Sequence, residues 1–184
     1  VDICLLDPSF TEKEHPQLVQ FIFCGEELTK KTAEKLLTAF PSANIYNTYG
    51  PTEATGAISS VKITKELLTE NDRVPIGFAK PGVELKIMDK EIIIVGDSVA
   101  KGYFENPEKT EQAFFTVDGK PAYHTGDAGS ISADGMLRYQ GRIDFQVKFN
   151  GFRIELQDIE ANIQNLKEIE KAVVLPKTND QHKV

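Results

Sequence analysis

The chain has 184 residues, with 28 acidic and 21 basic side chains, a formal net charge of −7 and 40% hydrophobic residues. The length suits one domain or two small ones, and two cysteines, too few for a disulfide framework, favour a reducing, cytoplasmic location. The acidic balance argues against nucleic acid as a partner, and no apolar stretch approaches the ~20 residues needed for membrane insertion.

The first third of the sequence has an α/β pattern. An apolar run at residues 21–24 predicts a buried strand, and Thr29 predicts the cap of a helix that reaches about Phe40 and stops before Pro41. A second strand is expected at residues 44–46. Because strand, helix and strand follow in this order, we expect the two strands to pair in parallel.

The middle of the sequence, from about residue 57 to 142, consists of short β-like runs separated by Gly, Pro and Asp. A short helix with proline in its first turn is expected near residues 107–114. This pattern favours a small antiparallel barrel or sandwich. The predicted strands are residues 57–63, 83–88, 91–95 and 136–139.

The last third begins with a predicted hairpin, because Asn150-Gly151 lies between two apolar runs, at residues 145–149 and 152–154. An amphipathic helix and a strand at residues 172–175 are expected to follow. The helix is expected to carry Leu156, Ile159, Ile163 and Leu166 on one face. The predicted fold class is therefore α/β plus β-barrel plus α+β, with domains at 1–60, 61–142 and 143–184.

The segment NTYGPTEAT, residues 47–55, carries the densest set of chemical groups. A turn at Gly50-Pro51 is followed by Thr52, whose hydroxyl can hold a phosphate oxygen, and by Glu53, whose carboxylate is the oxygen ligand that Mg²⁺ prefers. The simpler alternative is a strand-to-loop turn with a solvated glutamate. Two side chains before the turn suit a nucleotide base: Tyr49 offers a flat ring against which a base can stack, and the Asn47 amide can hydrogen-bond the edge of the base.

Two further stretches carry groups that suit a nucleotide. In YHTGD, Asp127 is expected at a strand end, where its carboxylate can accept from both hydroxyls of a ribose. Within residues 141–160, Arg142 can hold a phosphate and Asp144 lies where the architecture changes. Plain structural alternatives are an Asp-containing turn for the first stretch and a salt-bridged surface hairpin for the second.

Taken in order, FCGEEL, NTYGPTEAT, IIIVGDSVAKGY, YHTGD and GRIDFQVKFNGFRIELQDIE resemble the acyl-adenylate-forming superfamily. That group includes the adenylation domains of nonribosomal peptide synthetases, the acyl-CoA synthetases and the luciferases. Within it, three of the segments look most like ligases that charge a carrier protein with D-alanine for teichoic acid D-alanylation of the cell wall. The resemblance covers residues 21–174 and implies the multi-domain adenylate-forming fold.

The resemblance implies an ATP site with Mg²⁺ as cofactor. Tyr49 would stack on adenine, Asp127 would take the ribose hydroxyls, Thr52 would contact the phosphate and Glu53 would hold Mg²⁺. Arg142 is implied as a catalytic group as well. The other implied nucleotide contacts are Gly25, Glu26, Asn47, Thr48, Gly50, Pro51, Tyr139, Gln140, Gly141 and Arg142.

The same resemblance implies a D-alanine pocket and a hinge. Cys24 would narrow the pocket, with a small buried hydrophobe as the alternative, and Gly56 stands where relatives often carry valine against the D-alanine methyl group. Asp144 would be the hinge of a mobile C-terminal domain. That domain would then present Lys148 and Gly151 to the phosphopantetheine arm of a D-alanyl carrier protein.

The implied reaction forms D-alanyl-AMP and transfers D-alanine to the carrier thiol. The phosphate-gripping loop, the amine-binding Asp and the C-terminal lysine of the family are not found in this sequence. We therefore expect a C-terminal-half fragment that has no ligase activity by itself. Two alternatives stay open: a peptide-synthetase adenylation domain that uses another amino acid, and a non-catalytic nucleotide-binding module.

Overall fold

The structure is a computed structural model and describes residues 1–144, 146–149 and 152–177. The chain forms two compact units, Val1–Gly141 and Arg142–Val184. Among the helices of the described residues, none has the length and apolar character needed to cross a membrane.

The first unit contains a four-stranded mixed sheet. β1 and β2 pair in parallel, which confirms the predicted strand–helix–strand arrangement, and the other two pairings are antiparallel. The apolar run at residues 57–63 was predicted to belong with the later strands; this was wrong, because the turn after β2 brings it back alongside β2. The strands in sheet order are β1 (Gln20–Phe23), β2 (Asn44–Tyr49), β3 (Ser59–Lys62) and β4 (Phe78–Ala79).

Helix α1 (Lys30–Ala39) connects β1 to β2. As predicted, Thr29 caps it, and its side-chain oxygen accepts a 3.1 Å hydrogen bond from the Thr32 N–H. Most of the apolar side of the helix is buried with the strand residues that it packs against, so burial of this face fixes the helix on the sheet. This cluster includes Ala33, Leu36, Phe40, Ile45 and Val61.

The second sheet of this unit has five strands in the order β5-β6-β8-β7, with β9 also paired to β8. Strands β5 and β6 were predicted, as was a helix that starts at Pro107, and the two strands pair antiparallel. Helix α2 and strands β4 and β7 were not predicted, and β8 was expected only as a strand that ends at Asp127. The elements are α2 (Lys65–Glu70), β5 (Val83–Met88), β6 (Glu91–Gly96), α3 (Pro107–Ala113), β7 (Phe114–Val117), β8 (Lys120–Ile131) and β9 (Leu137–Arg142).

Strand β8 contains a bulge opposite β6. Ile93 pairs with His124 and Glu91 with Ala128, so two steps along β6 correspond to four steps along β8. Gly126, within the bulge, has a φ of +68°, a conformation that glycine adopts readily. Asp127 therefore lies on a bulge inside a strand, and its predicted position at a strand end was wrong.

The second unit contains an antiparallel hairpin and a helix. The hairpin, β10 (Gln146–Phe149) and β11 (Phe152–Glu155), was predicted; its turn residues Asn150 and Gly151 lie outside the described residues. Helix α4 (Leu156–Gln164) ends before Leu166, which was expected on its apolar face. The strand predicted at residues 172–175 is wrong, since no strand is assigned there and the Val174 N–H donates to the Glu160 side chain at 2.8 Å.

Candidate functional site

The turn after β2 is compact and depends on Gly50. The Pro51 carbonyl accepts from the N–H groups of Ala54 and Gly56, which closes a 3₁₀ helix, Thr52–Ala54. A Cβ atom on Gly50 would lie 1.7 Å from the Gly56 carbonyl oxygen, so only glycine fits there. The turn leaves Thr52 exposed and buries Glu53. The hydroxyl of Thr52 and the carboxylate of Glu53 are thus adjacent in sequence, but only the first is open to solvent.

A hydrogen bond between Tyr49 and Asp127 links the two sheets at this site. The Tyr49 hydroxyl donates a 2.5 Å hydrogen bond to Oδ2 of Asp127. Asp127 is only 7% exposed, and its N–H donates to the Thr125 hydroxyl at 3.0 Å. The side chains predicted to contact adenine and ribose are therefore in direct contact, although neither motif indicates the other.

Asn47 and Thr48 both bond to backbone carbonyls of neighbouring segments. The buried Asn47 amide donates to the Pro75 carbonyl at 2.9 Å, and the Thr48 hydroxyl donates to the Phe23 carbonyl at 2.7 Å. Thr48 thereby ties the end of β2 to the end of β1. Both side chains therefore have a structural role in this chain. The nucleotide contacts predicted for them stay predictions.

Residues 24–26 follow β1 at the same edge of the sheet as the turn that follows β2, because the two strands are parallel. Cys24 is exposed in this chain, so the alternative that it is a small buried hydrophobe was wrong. Gly25 has a φ of +94°, which makes a sharp bend between Cys24 and Glu26. The topology thus places these residues and Gly56 near one sheet edge.

Glu53 is buried and hydrogen-bonded to a tyrosine from a later loop. Its Oε1 accepts from the Tyr103 hydroxyl at 2.8 Å, and the Tyr103 oxygen lies 3.5 Å from that of Tyr123. Burial, together with hydrogen bonds to Tyr123 and Glu53, raises the pKa of Tyr103 above its usual range. Its phenol therefore stays protonated at neutral pH and donates to the Glu53 carboxylate.

The loop GDSVAKGY, residues 96–103, contacts the turn that contains Glu53 at two further points. The Ala100 N–H donates to the Glu53 carbonyl at 2.8 Å, and the Thr55 hydroxyl donates to the Ser98 carbonyl at 2.6 Å. Tyr103 was not predicted to lie at the site. No local pattern indicates it, since it lies 50 residues from Glu53 in the sequence.

Strand β9 carries four of the predicted nucleotide contacts, Tyr139, Gln140, Gly141 and Arg142. The guanidinium carbon of Arg73 lies 5.1 Å from the centre of the Tyr139 ring. Arg73 also forms two hydrogen bonds, of 2.6 and 2.7 Å, with the Glu27 carboxylate, which raises the pKa of Arg73. Arg73, held by Glu27, packs against one side of the Tyr139 ring. Neither Arg73 nor Glu27 was predicted to lie at the site.

Arg142 and Asp144, in the second unit, bind each other. The Arg142 Nε donates to Asp144 Oδ1 at 2.8 Å, and its Nη2 donates to the other carboxylate oxygen. Asp144 also accepts from the Gln146 N–H at 3.1 Å, so it organises the start of this unit. The backbone of Lys148 pairs with that of Arg153 in the hairpin, and Gly151 lies outside the described residues.

The described residues hold no group of three His, Cys, Asp or Glu side chains that could bind a metal ion together. Protein sites for Mg²⁺ often contribute only one or two carboxylates, with substrate phosphates and water as the other ligands. The carboxylate of Glu53 can act as one such ligand. It fits a Mg²⁺ ion whose other ligands are the phosphates of a bound nucleotide and water.

Comparison with known proteins identifies the family of the chain. The model of the AMP-binding enzyme family matches residues 2–104. The chain is 99% identical over its whole length to the D-alanine--D-alanyl carrier protein ligase of Lactococcus lactis subsp. lactis, and covers 37% of that protein. It is 48% identical to the ligase of the same name from Lactiplantibacillus plantarum, with 100% of this chain and 38% of that protein aligned. The chain thus spans well under half the length of these relatives.

Two solved structures with the same fold contain adenylation domains. The Vibrio cholerae adenylation domain AlmE, in complex with glycyl-adenosine-5'-phosphate, superposes with a TM-score of 0.84 at 28% identity, over 99% of this chain and 37% of that one. A nonribosomal peptide synthetase protein with adenylation and PCP domains, bound to a vinylsulfonamide inhibitor, superposes at 0.80 with 27% identity, over 96% and 33%. The predicted adenylate-forming fold is confirmed.

Proposed function

Because the chain belongs to the AMP-binding enzyme family, we propose that it is part of an ATP-dependent ligase that activates D-alanine and loads it onto a carrier protein. The observation that carries this proposal is the 2.5 Å hydrogen bond between Tyr49 and Asp127, the side chains predicted to contact adenine and ribose. Relatives that share 99% and 48% identity are named as ligases of this kind.

The reaction has two steps. In the first, the D-alanine carboxylate attacks the α-phosphorus of ATP, forms a new oxygen–phosphorus bond and releases pyrophosphate. In the second, the thiol of a phosphopantetheine arm attacks the carbonyl carbon, forms a thioester and releases AMP. Such phosphoryl transfer depends on positioning and charge neutralisation rather than on a protein nucleophile.

Asp127 is suited to hold the ribose. A buried carboxylate that already has one donor orients its remaining lone pairs, and two hydroxyls of a ribose can donate to them. The hydroxyl of Tyr49 fixes Asp127, and its half-buried ring, which packs against buried hydrophobic residues, would stack on the base. Thr52, exposed at the start of the 3₁₀ helix, and the residues around Gly25 would complete the phosphate and adenine contacts.

Glu53 is the side chain that would hold Mg²⁺. Bound to the carboxylate and to ATP phosphates, Mg²⁺ would supply charge neutralisation. The donated hydrogen bond from Tyr103 fixes the Glu53 carboxylate beforehand, so that its orientation does not depend on the nucleotide.

The amino-acid pocket and the hinge are assigned by the family resemblance. Cys24 and Gly56 would border the D-alanine methyl group, and both lie near the edge where β1 and β2 end. Asp144 would be the hinge for a second, thioester-forming conformation. In support, the boundary between the two compact units falls at Gly141 and Arg142, just before Asp144.

The carrier protein and the cell compartment also belong to this proposal. A carrier with a phosphopantetheine thiol would receive D-alanine for teichoic acid of the cell wall, and a related structure contains adenylation and PCP domains. Both cysteines are free and exposed, as suits a reducing cytoplasm. We keep the expectation that this segment has no ligase activity by itself.

A peptide-synthetase adenylation domain with another amino acid is the second candidate, favoured by the similarity to such a protein at a TM-score of 0.80. ATP–pyrophosphate exchange by a full-length ligase that carries this sequence separates the two, with D-alanine, L-alanine and glycine as substrates. We expect exchange to depend on D-alanine. Preference for L-alanine or a larger residue would favour the second candidate. Nucleotide binding without exchange would favour a non-catalytic module.

A further inference from the structure

The bulge in β8 breaks the hydrogen-bond ladder between β6 and β8 next to Asp127. Four steps along β8 face two along β6, so backbone groups between His124 and Ala128 lose their regular strand partners. Buried backbone groups left without a partner are costly, and a bulge persists only where other groups satisfy them. The side chains that do so determine where Asp127 points.

Glu91 satisfies the donor at the centre of the bulge. Its Oε1 accepts from the Gly126 N–H at 2.7 Å, and its Oε2 lies 2.8 Å from the Nδ1 atom of His124. The Glu91 side chain is 19% exposed, which makes these hydrogen bonds stronger than they would be in water. One carboxylate thus binds both the start and the middle of the bulge.

Thr125 satisfies the acceptor on the opposite strand. Its hydroxyl donates to the Ile92 carbonyl at 2.7 Å and accepts from the Asp127 N–H at 3.0 Å. Gly126 completes the bulge, since its φ of +68° is unfavourable for other residues. The bulge is therefore held from both sides, with Asp127 directly after it.

We propose that Glu91 is a positioning residue of the nucleotide site, which acts through the bulge to aim the Asp127 carboxylate at the ribose. This inference rests on the proposed nucleotide-binding role of Asp127. Glu91 itself does not contact the nucleotide. Its removal frees the Gly126 N–H and lets the bulge move, so that Asp127 loses its orientation toward Tyr49.

The test measures AMP affinity by calorimetry in a full-length ligase that carries this sequence, with Glu91→Ala, Glu91→Gln and Thr125→Val. We expect Glu91→Ala to raise the dissociation constant of AMP about tenfold. Glu91→Gln retains an acceptor for the Gly126 N–H and should recover most of the affinity. Thr125→Val, which changes the other support with little change in volume, should weaken AMP binding by a similar factor even if Glu91→Ala does not fold.

The matched control is Glu84→Ala. Glu84 lies on β5 in the same sheet, is half-exposed and pairs with Lys86, so its removal should leave AMP affinity unchanged. Unchanged AMP affinity in folded Glu91→Ala and Thr125→Val proteins overturns the inference. So does an equal weakening of AMP and D-alanine binding, which indicates a general structural defect. Because the main readout is AMP binding, a wild-type ligase without D-alanine-dependent exchange contradicts the proposed function and leaves this test intact.

Discussion

The Tyr49 hydroxyl donates a 2.5 Å hydrogen bond to the Asp127 carboxylate, and this contact joins the end of β2 to the bulge of β8. The two residues are 78 positions apart in the sequence. Their contact brings the segments NTYGPTEAT and YHTGD together in one site.

Replacement of Tyr49 by phenylalanine removes this hydrogen bond and keeps the aromatic ring. Because Asp127 loses a donor that orients it, we expect AMP to bind about three- to tenfold more weakly in the full-length ligase. Calorimetry with AMP measures the effect. Tyr46→Phe, on the same strand, is the control and should bind AMP as the wild type does. Equal affinities for Tyr49→Phe and wild type would show that the contact does not orient Asp127.

Replacement of Gly50 by alanine tests the turn that carries Thr52 and Glu53. The new Cβ would lie 1.7 Å from the Gly56 carbonyl oxygen, so the turn must open. We expect a loss of about 3 kcal/mol or more in the free energy of unfolding, measured by urea denaturation. Gly25→Ala is the comparison, because its Cβ meets no atom within 4 Å and it carries only the strain of a φ of +94°. A smaller loss for Gly50→Ala than for Gly25→Ala would contradict this account of the turn.

Replacement of Tyr103 by phenylalanine removes the hydroxyl that donates to Glu53. The loss of a hydrogen bond to a buried carboxylate lowers the free energy of unfolding by about 1–3 kcal/mol. We also expect a severalfold rise in the Mg²⁺ concentration needed for half-maximal ATP–pyrophosphate exchange, since Glu53 is no longer fixed. Thermal unfolding and a Mg²⁺ titration measure the two effects, and Tyr46→Phe again serves as control. A variant as stable as wild type, with an unchanged Mg²⁺ requirement, would remove Tyr103 from the site.

Replacement of Asp144 by alanine tests the hinge. Asp144 binds the Arg142 guanidinium and the Gln146 N–H, so its loss should disturb the start of the second unit. We expect transfer of D-alanine to the carrier to fall by about tenfold or more, with little change in ATP–pyrophosphate exchange. Asp134→Ala is the matched control, because Asp134 likewise binds the Ser132 hydroxyl and the Met136 N–H. Equal losses in both half-reactions would argue against a hinge role.

Local patterns predicted the elements whose determinants are close in sequence. The Thr29 cap and the buried positions of α1, strands β5 and β6, and the β10–β11 hairpin follow from residues only a few positions apart. The extent of strand β8 was missed, because its Pro, His, Gly and Asp residues are more typical of turns. Its partners on both sides override that preference.

The candidate site could be predicted only in part, because its contacts are between residues distant in sequence. The segments with Tyr49, Glu53 and Asp127 were identified from their residue types and order. Tyr103 and Glu91 were not, since their roles depend on the hydrogen bonds they form with Glu53 and the Gly126 N–H. The nucleotide, D-alanine and metal contacts, and the division of the chain at residues 60 and 142, stay predictions.

The most direct test of the nucleotide site is the affinity of AMP for the full-length ligase with Asp127→Ala, measured by calorimetry beside wild type. Loss of the carboxylate removes the acceptor for the ribose hydroxyls, and hydrogen bonds to a charged group of this kind are worth about 1.5–3 kcal/mol each. We expect the dissociation constant to rise about 100-fold. Asp118→Ala, an exposed aspartate in the turn after β7, should leave it unchanged. AMP that binds Asp127→Ala as tightly as wild type would contradict the site described here.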